Sequence, residues 1–398
     1  MKKTVSWILL ALLMLSMLLL AFDIQPAKAN GPIYIRTDGS VDPPTAPIQQ
    51  NRNIYTLTGN IFVEYLKDGI VVQKDNIVVD GAGYTVQGTE KKGTGIDLTG
   101  RSNVTIKNVE IKAFEYGIRF HVSLDHNKIY TNNITANKFG ILLRHSLNNS
   151  ISGNDITAND WSGIWFYNSS NNGISGNDIT ANKEYGIFLG VSSNNTISGN
   201  NITANDWRGL YLQRFSNYNA ISENNITHNN YGIHLVDSSN NTISGNNITA
   251  NNMDGIYLDS SLNNSISVND ITANKEYGIR LHDSSNNSIY HNNFVNNFHQ
   301  IYDTSWNNPE IPHSINTWDD GYPSGGNYWS DYTGEDANYD GIGDTLYVID
   351  ENNVDHHPLM APIIIPEFPP AMILLIFMVL TMLTVTFIKR KIPRKPKD

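Results

Sequence analysis

Apolar residues in the middle of this chain keep the spacing of strands. From Asn246 the apolar positions are Ile248, then Ile256 and Leu258 two apart, then Ile266, with Asn, Ser, Thr and Gly between them. Residues two apart point to one face of a strand, and nothing apolar recurs at three or four to mark an amphipathic helix. The phrase Asn-(Asn/Asp)-Ile-Thr-(Ala/His)-Asn opens further copies at Asn132, Asn154, Asn177, Asn200, Asn224, Asn246 and Asn269, and a degenerate one at Asn292. Successive copies are 22, 23, 23, 24, 22, 23 and 23 residues apart. Each copy therefore predicts three short strands joined by turns, and the regular interval predicts a stack of such coils.

One coil cannot bury its own isoleucines, but coils stacked on strand hydrogen bonds enclose one column of Ile or Leu per face. The expected fold is all-β, a right-handed parallel β-helix with coils of about 23 residues. Asn in the turns is expected to take the left-handed backbone region and to bond to neighbouring main chain, with Asn251 over Asn274 in an amide ladder. The glycines before each inward Ile or Leu (Gly163, Gly186, Gly209 and their equivalents) suggest positive φ or close backbone approach.

The two ends read differently. Met1 to Ala29 has Lys2 and Lys3, an apolar run from Trp7 to Phe22 and a small-x-small site at Ala27-Lys28-Ala29, as in a secretory signal peptide. Residues 30–75 are expected to cap the first coil, residues 76–300 to form the coils, and residues 301–365, rich in Trp, Gly and Asp, to cap the last one. Residues 366–398 hold Pro366-Glu367-Phe368, an apolar run from Ala371 to Ile388 just long enough for a transmembrane helix, and a basic tail expected to stay in the cytoplasm.

Particular phrases narrow the family. Val79-Asp80-Gly81-Ala82-Gly83-Tyr84, then Asn103-Val104-Thr105-Ile106-Lys107-Asn108, then the Asn-Asn-Ile-Thr-Ala-Asn coils resemble the NosD-type right-handed β-helix family of prokaryotic surface proteins over residues 33–360. Gly325 to Tyr332 and Asp340 to Thr345 resemble the segment that follows such helices in archaeal surface proteins. The C-terminal layout resembles the PEF-type sorting signal. The resemblance implies the fold; its members are tied to copper enzymes, and related β-helices bind or cleave polysaccharide. Copper finds little here, since the 11 histidines are scattered except His356-His357 and there is no Cys.

Charge excludes one class of partner. Removing the nine basic and two acidic residues of residues 1–29 and 389–398 from 27 and 38 leaves 18 against 36 in residues 30–388. So acidic an exterior argues against nucleic acid.

Outward positions supply the candidate chemistry. Between the inward residues of each Gly-Ile-x-Leu strand stand Arg119, Leu142, Trp165, Phe188, Tyr211, His234, Tyr257 and Arg280, which stack as an aromatic stripe suited to sugar rings or to cross-strand stabilisation. The next outward position adds Asp259 and His282. His234, Tyr257, Asp259, Arg280 and His282 then form a weak candidate for uronate lyase or epimerase chemistry: Arg neutralises a carboxylate, His or Tyr takes the acidified proton, Asp orients the His. Trp165, Phe188, Tyr211, His234 and Tyr257 are the candidate ligand-binding residues.

Asp336, Asn338, Asp340, Ile342 and Asp344 follow a calcium-loop spacing with Gly341 at the turn, although Tyr347 replaces the final Glu, so the expectation is Ca2+ or an Asx-turn loop. Asn-x-Ser/Thr triplets begin at Asn103, Asn133, Asn148, Asn168, Asn194, Asn201, Asn225, Asn240, Asn247, Asn263 and Asn286, of which a subset is expected to carry glycans. The sequence reading is an exported, membrane-anchored surface β-helix that binds polysaccharide or another surface partner. A uronate-active enzyme, a structural surface-layer spacer and a copper accessory protein stand behind it.

Overall fold

Each repeat closes one turn of a parallel β-helix. In the coil from Ser265 the strands are Ser265–Ser267, Asp270–Thr272 and Tyr277–His282. Equivalent strands of every coil pair in parallel, giving a first sheet of 12 strands and a second and third of 13 each. The computed structural model describes residues 27–29, 31–64, 66–122, 125–306, 308 and 310–365, and within them the solenoid has about 11 coils. The apolar leader up to residue 26 and the predicted transmembrane segment lie outside the described residues. Among the described residues no helix is long and apolar enough to cross a membrane.

The columns follow the alternation read from the sequence. Ile174, Ile197, Ile221, Ile243 and Ile266 stack inside the first sheet, and Ile179, Ile202, Ile226, Ile248 and Ile271 inside the second. The third sheet contributes two columns, one through Ile233, Ile256 and Ile279 and one through Leu235, Leu258 and Leu281. All of these side chains are fully buried. Each contributes roughly 1.5–3 kcal/mol by leaving water.

The corners are held by asparagine. Asn200 donates its main-chain N–H (3.0 Å) and its Nδ2 (2.9 Å) to Oδ1 of Asn224 in the next coil, and Nδ2 also reaches the Ile174 carbonyl at 3.0 Å. Its own Oδ1 accepts the same pair from Asn177. Ladders of this kind run through Asn149, Asn172 and Asn195 at one corner and Asn229, Asn251 and Asn274 at another, where Asn251 meets Asn274 at 2.9 Å as expected. Each ladder satisfies turn amides that the coil would otherwise bury unpaired.

Two local expectations become more specific. The left-handed residue is the one before each ladder Asn: Gly245 (φ 67) before Asn246, Ala250 (φ 55) before Asn251 and Asn263 (φ 55) before Asn264. The ladder Asn cannot itself take that conformation, because its side chain must point along the solenoid to the next coil. The glycines before the inward Ile or Leu serve close approach instead of positive φ. A Cβ at Gly163 would meet Ile179 Cγ2 at 2.7 Å and the Gly186 carbonyl at 2.8 Å.

Parallel pairing already involves Ile33–Ile35 in the third sheet and Ile54–Leu57 in the first, upstream of residue 76. Antiparallel strands Val41–Asp42 and Ile48–Asn51 line the first edges of the third and first sheets, and Ala27–Ala29 pairs in parallel with Ile61–Val63. At the far end Trp329 extends the second sheet's column and is stacked between Phe294 (4.4 Å) and Tyr347 (4.2 Å). Its Nε1–H donates to Asp355 at 2.8 Å, and Trp318 donates to Asn353 at 3.0 Å.

Asn200→Ala should cost about 3 kcal/mol or more, because it orphans the Asn177 amide and the Ile174 carbonyl inside the stack. Ile256→Asn should cost about 3 kcal/mol or more by burying an unpaired amide. Thermal melts of the two variants check both, and an unchanged melt for Ile256→Asn would mean that this position faces solvent.

Candidate functional site

The three outer faces differ in chemistry. The first presents mainly Ser and Thr, as in Thr196, Ser198, Thr242 and Ser244, and the second presents Asn or Asp beside Thr, as in Asn225 and Thr227. Rings and guanidinium groups gather on the third. Its register runs Arg119, Leu142, Trp165, Phe188, Tyr211, His234, Tyr257, Arg280, Tyr302, which is the stripe expected, one coil further.

The stripe is tighter than a row of open platforms. Trp165 lies on Phe188 at 3.8 Å and His234 on Tyr257 at 4.4 Å, and Phe188 and His234 are only 2% and 4% exposed. Trp165, Tyr211 and Tyr257 stay half-buried with surface to offer. Asp259 and His282 are register partners, but Asp259 bonds to Ser260 and His282 Nδ1 to Thr304, so no Asp–His pair forms.

A second row went unread in the sequence. The strands of this sheet begin one residue before the glycine, as Tyr277–His282 does, which brings Tyr185, Arg208, Tyr231, Asp254 and Tyr277 onto the outer face. Strict alternation would have turned these residues inward, since they lie two before the first inward Ile or Leu; the period breaks at the intervening glycine, whose Cβ position faces an interior Ile of the next coil. The two rows meet in one buried cluster. Arg208 Nε donates to His234 Nδ1 at 2.6 Å, and the Arg208 guanidinium lies 3.8 Å from the Trp207 ring centre and 4.3 Å from that of Tyr211. Arg280 approaches Asp254 at 3.4 Å and stands 5.3 and 5.0 Å from the ring centres of Tyr257 and Tyr277. Arg208 Nη1, His234 Nε2, Arg280 Nε and Asp254 Oδ1 are buried without a hydrogen-bond partner.

This geometry sets the protonation states. Guanidinium nitrogens only donate, so His234 Nδ1 accepts, and the neutral ring carries its proton on Nε2. Burial, then Arg208 and Arg280, push the His234 pKa down to about 3. His234 is thus a fixed donor, not the proton-abstracting base it was a candidate to be. Burial raises the Asp254 carboxyl to about 7 against the pull of Arg280, with Glu276 adding to the rise. Burial also lowers the Arg208 guanidinium from its ordinary value.

The possible metal loops are arranged otherwise. Asp336 accepts from the amides of Asp340 (3.2 Å) and Gly341 (2.9 Å), Asp340 from Ile342 (2.9 Å) and Asn338 Nδ2 (3.0 Å), and Asp344 from Ala337 (2.7 Å). His356 and His357 both turn Nδ1 to Asp319, at 3.2 and 3.0 Å. Among the described residues no three His, Cys, Asp or Glu side chains converge in a way that could hold a metal ion.

Asp254 and His234 should bend stability with pH in opposite senses. A carboxyl raised from 3.8 to about 7 makes the fold lose stability as pH rises between those values. A histidine lowered from 6.5 to about 3 makes it lose stability as pH falls through that window. Each slope is at most about 1.4 kcal/mol per pH unit, so they largely cancel between about pH 4 and 6.5. Asp254→Asn should unmask stability rising with pH there, and His234→Gln stability falling, in melts taken across the range. Matching profiles in the two variants would refute the assignment.

Comparisons place the chain. The profile of the family described as periplasmic copper-binding protein (NosD) matches residues 69–243 and 185–334. No curated protein matches. Among solved structures, the A-module of the Azotobacter vinelandii mannuronan C-5 epimerase AlgE6 is similar with 15% identity and a TM-score of 0.54 over 74% of this chain and 90% of that one. The Dettilon tailspike protein is similar with 18% identity and a TM-score of 0.56 over 70% and 60%. A mutant of the periplasmic alginate epimerase AlgG is similar with 16% identity and a TM-score of 0.51 over 73% and 78%. At these identities the likeness is one of fold. With a family match across most of the solenoid and the parallel coils just described, this chain belongs to the NosD family of right-handed parallel β-helix proteins.

Proposed function

We propose that this protein binds an extended polysaccharide along the third sheet, outside the cell. One observation carries the reading: two adjacent outward rows on this sheet hold aromatic and guanidinium groups coil after coil, whereas the other two sheets present small hydroxyl and amide side chains. A linear sugar chain matches a long face whose contacts repeat at about 4.8 Å. The similar folds include proteins named as epimerases of mannuronan and alginate, which supports a polysaccharide partner for this architecture. Binding without catalysis is the better reading, because His234 is held as a donor and Asp259 does not orient a histidine.

The anchoring proposal rests on sequence: residues 1–29 direct export, residues 371–388 span the membrane and the basic tail stays inside. The segments at the two ends of the solenoid are proposed as caps, since antiparallel strands at one end and the Phe294–Trp329–Tyr347 stack at the other shield edges that would otherwise pair with further chains. Glycans are proposed at turn residues Asn148, Asn194, Asn263 and Asn286, which are exposed. Asn201, Asn225 and Asn247 instead spend their amides on a ladder across the second sheet.

A glycan array probed with the exported chain, with and without Ca2+, should show polysaccharide ligands, and Trp165→Ala and Tyr257→Ala should each weaken binding roughly three- to tenfold, measured where both variants are still fully folded. An array with no glycan bound would remove the reading. Protease added to intact cells should digest the solenoid and spare the Lys389 to Asp398 tail; a protected solenoid would reverse the topology.

A further inference from the structure

The buried cluster on the third sheet has a surplus of donors. Arg208 Nη1, His234 Nε2 and Arg280 Nε lack acceptors, against one lone acceptor, Asp254 Oδ1. Arg280 has the Asp254 carboxyl at 3.4 Å, whereas among the described residues Arg208 has no carboxyl within ion-pair reach, in a chain whose net charge is −11. Buried donors left unpaired are costly, and a native site that keeps three together is short of an anion.

The planar fork of arginine selects among anions by shape. Arg280 keeps 21% of its side chain exposed, so it is the group an incoming ligand meets first. Arg208 lies deeper, 9% exposed and beneath the Trp207 ring, which stands 40% exposed on its turn. Tyr231 and Tyr257, in neighbouring rows, leave ring surface beside both arginines for the apolar side of a pyranose. A flat two-oxygen group on a sugar ring satisfies these demands together: two oxygens for the guanidinium forks and His234 Nε2, and a ring for the aromatic faces.

We propose that the cluster of Arg208, His234 and Arg280 is a uronate subsite, receiving the carboxylate of a uronic acid residue in an acidic polysaccharide laid along the third sheet. The assignment rests on the reading of that sheet as a polysaccharide-binding face and adds the charge class of the ligand. Arg280 takes the carboxylate at the surface, Arg208 and His234 hold it from below once Trp207 moves aside, and Asp254 keeps Arg280 in position. Binding is confined to this part of the face, because an acidic chain is repelled by the acidic exterior elsewhere. It weakens with salt.

The test uses the full exported chain with oligomers of a uronic acid and the same oligomers after reduction of their carboxyl groups to alcohols, so that only the charge differs. Calorimetric titration should show the acid form binding about tenfold or more tightly than the reduced form. Arg280→Met and Arg208→Met should each bring the affinities for the two oligomers to within about twofold of one another. Arg280→Lys, which keeps the charge and loses the fork, should fall between and guards against misfolding of the methionine variants. Binding of the acid form should also shift tryptophan emission, and Trp207→Phe should abolish that shift. Equal affinity for both oligomers would overturn the uronate subsite and leave the binding face standing. Failure to bind either oligomer, with no glycan retained on the array, would overturn both.

Discussion

Every feature of this molecule depends on keeping successive coils in register, and the asparagine ladders impose that constraint. A parallel strand pair slipped by one residue would turn every Ile column outward. The ladders oppose this slip because each Asn bonds along the axis twice, through its main-chain N–H and its side-chain amide, to a single oxygen of the next coil. A slipped coil would leave three or more buried polar groups unpaired at every corner. The hydrophobic columns supply most of the favourable free energy, whereas the ladders decide which of the possible stackings receives it.

Register fixed from within leaves the outside free. Outward positions contribute little to the stack, so one sheet can hold groups that a small globular core would not tolerate. The third sheet uses this freedom: a histidine kept neutral, a carboxyl pushed up to about 7 and two arginines share a small volume there. Such a cluster is costly, and the coils beneath it are nearly identical to those elsewhere. That contrast between a uniform interior and one unusual exterior patch is the strongest physical argument that the patch serves a ligand.

Much of this was legible in the sequence, for a simple reason. A period of about 23 residues turns alignment of the chain with itself into a map of contacts, so the inward columns, the outward stripe and the Asn251–Asn274 pair could be written down before any coordinates. What escaped was local. Arg208 and Asp254 lie before the glycine that seemed to open each strand, and their importance comes from burial beside residues of other coils, which no single repeat displays. The left-handed corners were assigned to Asn in general, whereas the geometry of the ladder passes that conformation to the residue just ahead, which is Gly245 or Ala250 at two corners and an Asn such as Asn263 at the third. The distinction between a reactive histidine and a fixed donor required the Arg208 contact at 2.6 Å.

The coil lengths carry a further meaning. Between Gln213 and Ser216 the chain has one residue more than between Gly190 and Ser192, and the excess is absorbed at Arg214 and Phe215, both at positive φ, with Phe215 70% exposed. The third sheet keeps its 23-residue step unbroken from Gly190 through Gln213 to Val236, and the serine ladder from Ser192 to Ser216 to Ser238 stays closed. The longer excursion between Asp303 and Ser314 leaves from the same corner and also returns to that ladder. This corner, between the third and first sheets, is thus a permissive seam where loops can lengthen along the rim of the third sheet while the registers of the strands and of the serine ladder stay as they are.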